Sequence, residues 1–496
     1  MAVNIFTGSL SPWLTVLLPL LVLGIKLMPD KKKAPNIILL SISTLTILTI
    51  ITYYPEVSSG MVIKSTVLKF TRFFSFYLKV DSAGFLFAII SSVLWLFTII
   101  YSFGYMKDYE NKTRYYVFLL LCLGITMGIA FSGNLLTYYT FYEMLTLATF
   151  PLVIHTQSKE AMKAGKKYLI YSLSGAALIL MSIMFMSFLT NGGGLDFVPG
   201  GIIDGNTPIS GKSLEIILFL FLAGFSVKSA VMPLHRWLPD AMVAPTPVSA
   251  LFHAVAVVNS GVFGILRIVY YIMGKNVVFS TLVARIFLVL VLFTIIMASI
   301  IAFFQDNLKR RLAYSTISQL GYITLGILLL NPDGLRGGIY HIFNHALLKI
   351  TLFFCAGIIY IVTHKKKISE MKGLGRKMPW TMGAFAIATL GMVGIPPSVG
   401  FNSKWFLLTG SLENGSIIIM GVLILSALLN AGYFFPIVIR AFISETSNQF
   451  ITHKDKYEAP LTMLIPTIIL SLLTIFIGIW YGLPDSIFDV IVSSIF

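Results

Sequence analysis

Apolar runs of about 20 residues recur along the whole chain, each long enough to cross a hydrocarbon core of ~30 Å. No water is available at that depth, so every backbone amide must be satisfied within its own segment or in a closed sheet. The runs therefore read as helices. Composition agrees: 57% of the 496 residues are hydrophobic and 11% are charged, whereas a soluble domain carries roughly 25% charged residues. So few charges cannot cover a water-soluble body of this size. The expected fold is an all-α polytopic membrane protein forming a single membrane domain.

Hydrophobic periodicity gives about 14 spans. They start near Pro12, Pro35, Ser82, Tyr115, Leu135, Lys166, Ser213, Pro247, Phe279, Leu312, Gly338, Thr381, Ser416 and Leu461. The loops are short and leave no room for a separate soluble domain. The longest, Pro55 to Asp81, alternates charged and apolar residues (VIKSTVLKFTRFFSFYLKV) and is expected to form a small hairpin at the interface.

The net charge of +16 follows the loops and is not gathered into a nucleic-acid footprint. Cations cluster after odd-numbered spans. These are Lys31, Lys32 and Lys33; Lys107, Lys112 and Arg114; Lys159, Lys163, Lys166 and Lys167; and Lys309, Arg310 and Arg311. Lys365, Lys366 and Lys367 follow with Lys372, Arg376 and Lys377, then Lys454 and Lys456. Even-numbered loops hold Lys64, Lys69, Arg72 and Lys79 in the long connection and little beyond Lys212, Lys275 and Arg336. The positive-inside rule makes the odd loops cytoplasmic and puts both termini outside the cell membrane.

The first apolar segment precedes its lysines and has no small-residue cleavage site, so it reads as a retained span rather than a signal peptide. Cys122 and Cys355 both lie inside apolar runs. Two cysteines fall short of the four an iron–sulfur cluster normally needs, and there is no CxxCH. No cofactor is expected in this chain. Iron–sulfur clusters, with or without nickel, belong to partner subunits if the complex is redox-driven.

Most spans carry no charge, because one at the bilayer centre costs at least ~2.5–3.5 kcal/mol on insertion scales. The exceptions are Glu143, Lys228, Lys349 and Lys404. His341, His345 and Lys349 follow one another at four-residue steps, about 40° of helix rotation each, and form one slowly turning polar stripe. Static buried pairs that fix helix packing would explain a single such residue. Here lysines outnumber carboxylates at depth, and a buried ammonium without a partner gives up its proton more readily. Function is the stronger reading for the set. The His341–His345 spacing would suit zinc, but no HExxH glutamate accompanies it. A haem between histidines of facing helices stays open on spacing alone, although no aromatic-lined glycine slot accompanies His253, His341 or His345.

Two spans are interrupted. The seventh runs into VMPLHRWLPDAMVAPTPVS, where Pro233, Pro239, Pro245 and Pro247 forbid a continuous helix. The twelfth holds Gly394, Pro396, Pro397 and Gly400. Lys228 precedes the first break and Lys404 follows the second. Paired interruptions in matching halves point to an inverted repeat with an ion path at the midplane. Spans four to eight and nine to thirteen make two five-helix units, and an odd number of spans inverts the second. The boundaries are 1–114 for helices one to three, 115–272 and 273–441 for the repeats, and 442–496 for helix fourteen.

PLHRWLPDAMVAPTPVSALFHA, DNLKRRLAYSTISQLGYI, HIFNHALLKITLFFCAG and GIPPSVGFNSKWFLLTG resemble the signatures of the antiporter-like subunit family. It is shared by complex I, Mrp-type cation/proton antiporters and membrane-bound hydrogenases or related ferredoxin-linked complexes. YSFGYM (Tyr101 to Met106) and EAPLTMLIP (Glu458 to Pro466) agree. The resemblance covers nearly the whole chain. It implies 14 helices in two inverted repeats, conduction of protons or Na⁺/H⁺ exchange, and partner membrane subunits with or without a peripheral redox arm. It also implies that Glu143 pairs with Lys228, the closed pair holding a proton and the open pair releasing it. Lys349 and the histidines would lie on a central hydrophilic axis, with Lys404 at the second break.

One position departs from the pattern. Where many relatives have a lysine in a context like VVKAGVF, this chain has VVNSGVF with Asn259. Asparagine bonds water but stores no proton, so the relay would use water and His253, or the subunit would conduct poorly. A benign variant at a water-bridged step is an equal alternative. Only about a dozen residues follow the fourteenth span, so the long lateral helix of the distal complex I subunit is not expected. Two other classes compete: a self-sufficient transporter of a small solute, which lacks a shaped cluster of side chains, and a non-conducting structural subunit, for which buried charges would be costly.

Overall fold

Small polar side chains start the helices. Asp81, Asn134, Ser158, Asn307 and Asn331 each accept a backbone N–H from three residues ahead, at 2.7–3.1 Å. Each therefore satisfies one of the amides a helix start leaves open. A computed structural model describes residues 5–6, 11–27, 34–65, 67–69, 75–190, 195–203, 211–443, 457–480 and 482–496. Lys31, Lys32, Lys33, Arg72, Lys454 and Lys456, counted above for topology, lie outside the described residues.

Fourteen helical passes run through the described residues. The first is Pro12–Leu17 continued as a 3₁₀ helix, Leu18–Leu27; the second to sixth are Ala34–Ile51, Ser82–Tyr105, Lys112–Ala130, Leu135–Val153 and Lys159–Leu189. The seventh is Gly211–Lys228, a break, then the short turns Trp237–Asp240 and Ala241–Val243. The eighth is Thr246–Ala254, Val257–Arg267 and a π-helical end, Ile268–Met273. The ninth to eleventh are Leu282–Phe303, Leu308–Leu328 and Pro332–Thr363. The twelfth is split into Pro379–Val393 and Val399–Glu413, and Ile417–Phe442 and Leu461–Ile479 complete the set. A further helix, Gly482–Ile495, follows the last pass.

The long connection after the second helix does form the expected hairpin, Leu68–Lys69 against Ser75–Phe76. It also builds a second, three-stranded sheet: Val62–Lys64 pairs in parallel with Ile5–Phe6 and antiparallel with Lys79–Val80.

Burial separates the passes. The apolar window of the eighth helix is 100% buried and that of the eleventh 78%, against 39% for the ninth and 33% for the thirteenth. The eighth and eleventh are thus surrounded by protein, while the ninth and thirteenth turn a face outward. Arg267, 1% exposed near the end of the eighth helix, holds Asp81 with two bonds of 2.6 and 2.7 Å. The rings of Phe197, Phe263 and Tyr271 surround its guanidinium. This bidentate pair ties the buried helix to the start of the third.

The signature motifs are largely joints between passes. Lys309 donates to the carbonyls of Met242 and Ala244, both at 2.8 Å, pinning the tenth helix to the turns after the first break. Arg311 donates to the carbonyls of Phe303, Gln305 and Tyr433. Glu458 caps the twelfth helix through Trp380 N, Thr381 N and the Thr381 hydroxyl. The Tyr101 hydroxyl donates to Phe354 O at 2.8 Å, and its ring stacks on Phe354.

Candidate functional site

The first break begins at Lys228, the last residue of its half-helix. Ala230 takes a left-handed φ of 53° and the Met232–Pro233 bond is cis. The indole N–H of Trp237 donates to Val227 O at 2.7 Å, satisfying one carbonyl that the break frees. The Lys228 side chain is wholly buried. Its ammonium donates to Tyr142 O on the fifth helix at 2.7 Å and lies 3.3 Å from the centre of the Tyr142 ring, a cation–π contact. Glu143 is the next residue of the fifth helix, half-buried and within electrostatic reach of Lys228, with Thr146 as its hydrogen-bonding neighbour. No ion pair joins Glu143 to Lys228 among the described residues, and Glu143 Oε1 has no partner. The structure holds the pair open.

The eighth helix is also interrupted, at Val255 and Ala256, with neither proline nor glycine at the interruption. Both N–H groups there turn back to Leu251 O, at 2.9 Å each. The Asn259 amide donates to Ala254 O at 2.7 Å, bridging the gap. Its Oδ1 has no partner, nor has either ring nitrogen of His253, which sits just before the gap with its ring 5.1 Å from that of Phe353 on the eleventh helix. Asn259 is therefore a bracket across the gap as well as a polar lining residue. Gly261 lets this helix meet the first break, because a Cβ there would lie 2.5 Å from Ser229 N.

On the eleventh helix, Lys349 is wholly buried and donates to Ser315 Oγ at 2.7 Å and Leu312 O at 3.2 Å, both on the tenth helix. His345 lies within electrostatic reach of Lys349, His341 and His253, and neither of its nitrogens has a partner. His341 bonds Ser403 Oγ through Nδ1 at 2.9 Å and Gln319 Oε1 through Nε2 at 3.0 Å, with Gln319 Nε2 left over. The Tyr322 ring stacks on His341, centres 5.3 Å apart.

At the second break, Gly394 ends the first half-helix at φ 91° and the Pro396–Pro397 bond is cis. Lys404 reaches back from the second half-helix to Met392 O and Val393 O, both at 2.7 Å, and lies 5.5 Å from the centre of Tyr322. Ile395, Pro396 and Pro397 are exposed.

All eight residues singled out by sequence thus fall on or beside the two central helices and the two breaks. Tyr142, Ser315, Gln319, Tyr322 and Ser403, which make the contacts, carry no charge and gave no signal of their own. Buried polar atoms are normally bonded to protein or to ordered water. The orphans at His253, Asn259, His345 and Gln319 therefore mark where water would bridge, each offering one or two of the polar partners a buried water needs. Among the described residues no cluster of three or more His, Cys, Asp or Glu could hold a metal.

Residues 132–430, more than half of the chain, match the family "NADH:quinone oxidoreductase/Mrp antiporter, TM". The chain belongs to this family. It is 33% identical over 383 residues to NADH-quinone oxidoreductase subunit N of Desulforudis audaxviator, covering 75% of each. It is 30% identical over 490 residues to Na⁺/H⁺ antiporter subunit A1 of Staphylococcus aureus, covering 92% of this chain and 59% of that relative. A chain of the Mrp complex from Dietzia sp. superposes with a TM-score of 0.86 at 21% identity, covering 98% of this chain and 97% of that one. The last likeness establishes the fold as that of a membrane chain of the Mrp complex.

Proposed function

We propose that this chain conducts protons across the cell membrane as one subunit of a multi-subunit respiratory or antiporter complex. The observation that carries the reading is the set of buried ionisable groups, Lys228 at the first break and His253, Lys349, His345, His341 and Lys404 within electrostatic reach of one another, with bonding capacity left over for water. A charge set at membrane depth without matching carboxylates is costly to keep for packing alone.

Glu143 is the switch: moving onto Lys228 it holds the ammonium, and moving away it leaves Lys228 to Tyr142 and frees a proton towards His253. The two titrate as one system. The relatives favour this reading: one is an NADH-quinone oxidoreductase subunit and another a Na⁺/H⁺ antiporter subunit. Glu143 also points to a partner. It is half-buried on a face that carries Met144 at 43% and Leu147 at 61% exposure. A carboxylate on that face calls for a neighbouring membrane subunit rather than lipid. The cation-rich odd loops support a cytoplasmic placement, with both termini outside.

Proton movement in membrane vesicles carrying the assembled complex tests the reading. With Lys228→Ala it falls to near background while assembly is retained; normal transport in that variant would sink it. Metal content of the purified complex reports the energy source. Iron identifies a redox arm in partner subunits, nickel alongside it a hydrogenase, and neither metal a drive from ion gradients.

A further inference from the structure

Lys349 has a second set of contacts that leads away from the histidines. Ser315 Oγ, which accepts from its ammonium, also accepts from the Tyr433 hydroxyl on the thirteenth helix at 2.9 Å. That hydroxyl in turn bonds Asn430 Oδ1, and Asn430 Nδ2 is buried with no partner. The backbone carbonyl of Tyr433 is held by Arg311 at 2.7 Å, which fixes the thirteenth helix against the tenth at this level.

The tyrosine hydroxyl has one proton and two acceptors, so it serves one at a time. With Lys349 charged, Nζ donates to Ser315, and the Ser315 hydroxyl, turned to give its own proton to Tyr433, leaves Tyr433 to donate to Asn430. With Lys349 neutral the order reverses: Ser315 gives its proton to Nζ, and Tyr433 turns from Asn430 to Ser315. No bond other than hydrogen bonds changes, and the Asn430 oxygen is filled in one state and empty in the other.

An internal repeat makes the arrangement more than local packing. Asn430 opens NAGYF (430–434) and Asn259 opens NSGVF (259–263), in the last helix of each five-helix unit. In the first unit that asparagine bridges the gap beside His253 with one amide atom free; in the second it ends the chain from Lys349 with one amide atom free. We propose that Ser315, Tyr433 and Asn430 are a positioning relay that couples the charge of Lys349 to the thirteenth helix. The inference rests on the proton-conducting reading above. Facing Lys349 besides these are His345 on its own helix, His253 on the eighth and the Phe434 ring at 5.7 Å, with His341 next along the stripe towards Lys404.

The test is the pH profile of proton transport by the intact complex in vesicles. Ser315 accepts from the charged form, and bonds to a charged group are the stronger ones, so removing it weakens that form more than the neutral one. Ser315→Ala is expected to move the profile to the acid side by about one pH unit. Tyr433→Phe keeps the ring that packs on Phe434 and moves the profile the same way by less. An equal fall at every pH, or no change, in either assembled variant would overturn the relay. Should Ser315→Ala fail to assemble, Tyr433→Phe decides alone. A wild-type complex that moves no protons overturns the functional reading; normal wild-type transport with unmoved profiles overturns the relay only.

Discussion

At the first break the lysine belongs to the half-helix that ends there and reaches away from it, to a carbonyl and a ring on the fifth helix. At the second break the lysine comes from the far half-helix and folds back over the last carbonyls of the near one. Lys404 therefore sits at a helix C-terminus, where the backbone dipole and two acceptors favour its charge, and no carboxylate pairs with it among the described residues. Lys228 has one carbonyl, one ring and a carboxylate that has not closed on it. The surroundings are alike: both lysines are buried, and each break carries exposed residues, Pro233 and Arg236 in the first and Ile395 to Pro397 in the second. On the proposed function, the lysine with a carboxylate in reach is the one that changes partner, and the lysine at the helix end is held in place.

The sharpest way to break this contrast is to remove each lysine in turn. Lys228→Ala is expected to cut proton flux about a hundredfold, in the range for loss of a positioned proton-transfer group. Lys404→Ala is expected to cost about tenfold, because Lys404 holds two backbone carbonyls and has no carboxylate to switch with among the described residues. Equal losses would remove the distinction.

A second comparison uses the paired glycines. In Gly261→Ala the new methyl meets the backbone of Ser229 at 2.5 Å, and in Gly432→Ala it meets the Phe303 side chain at 3.1 Å. Backbone cannot yield, so the first should cost about 1–3 kcal/mol of stability. Phe303 is 44% exposed and free to shift, so the second should change little. Thermal unfolding of the assembled complex separates them.

Asn259→Lys is expected to leave assembly intact and change flux only modestly, since unpartnered Oδ1 and His253 indicate room for water; collapse of assembly would mean a dry gap. The smallest effect is expected for Glu458→Gln, which keeps one acceptor for the twelfth-helix cap and should cost no more than about 1 kcal/mol, read as a lower melting temperature with normal flux.

The helices, both proline breaks and the buried charges were legible in the sequence because each breaks a rule of the bilayer: length, continuity or neutrality. The hairpin in the long connection was legible too, but not the three-stranded sheet, since pairing Val62–Lys64 with Ile5–Phe6 brings together strands far apart in the chain. The gap at Val255 and Ala256 was invisible, since valine and alanine carry no breaker signal. Arg267 was passed over near a helix end, where a cation usually snorkels to the interface; its partner Asp81 lies far away in sequence. The NSGVF and NAGYF pair was readable, but only once the two asparagines were known to share a setting.

The most direct measurement is proton flux through the assembled complex carrying Glu143→Gln. This substitution keeps the size of the side chain and removes only the charge that can close on Lys228. The account predicts flux near background with assembly and every other contact of the first break intact. Flux equal to that of the unaltered complex would contradict it.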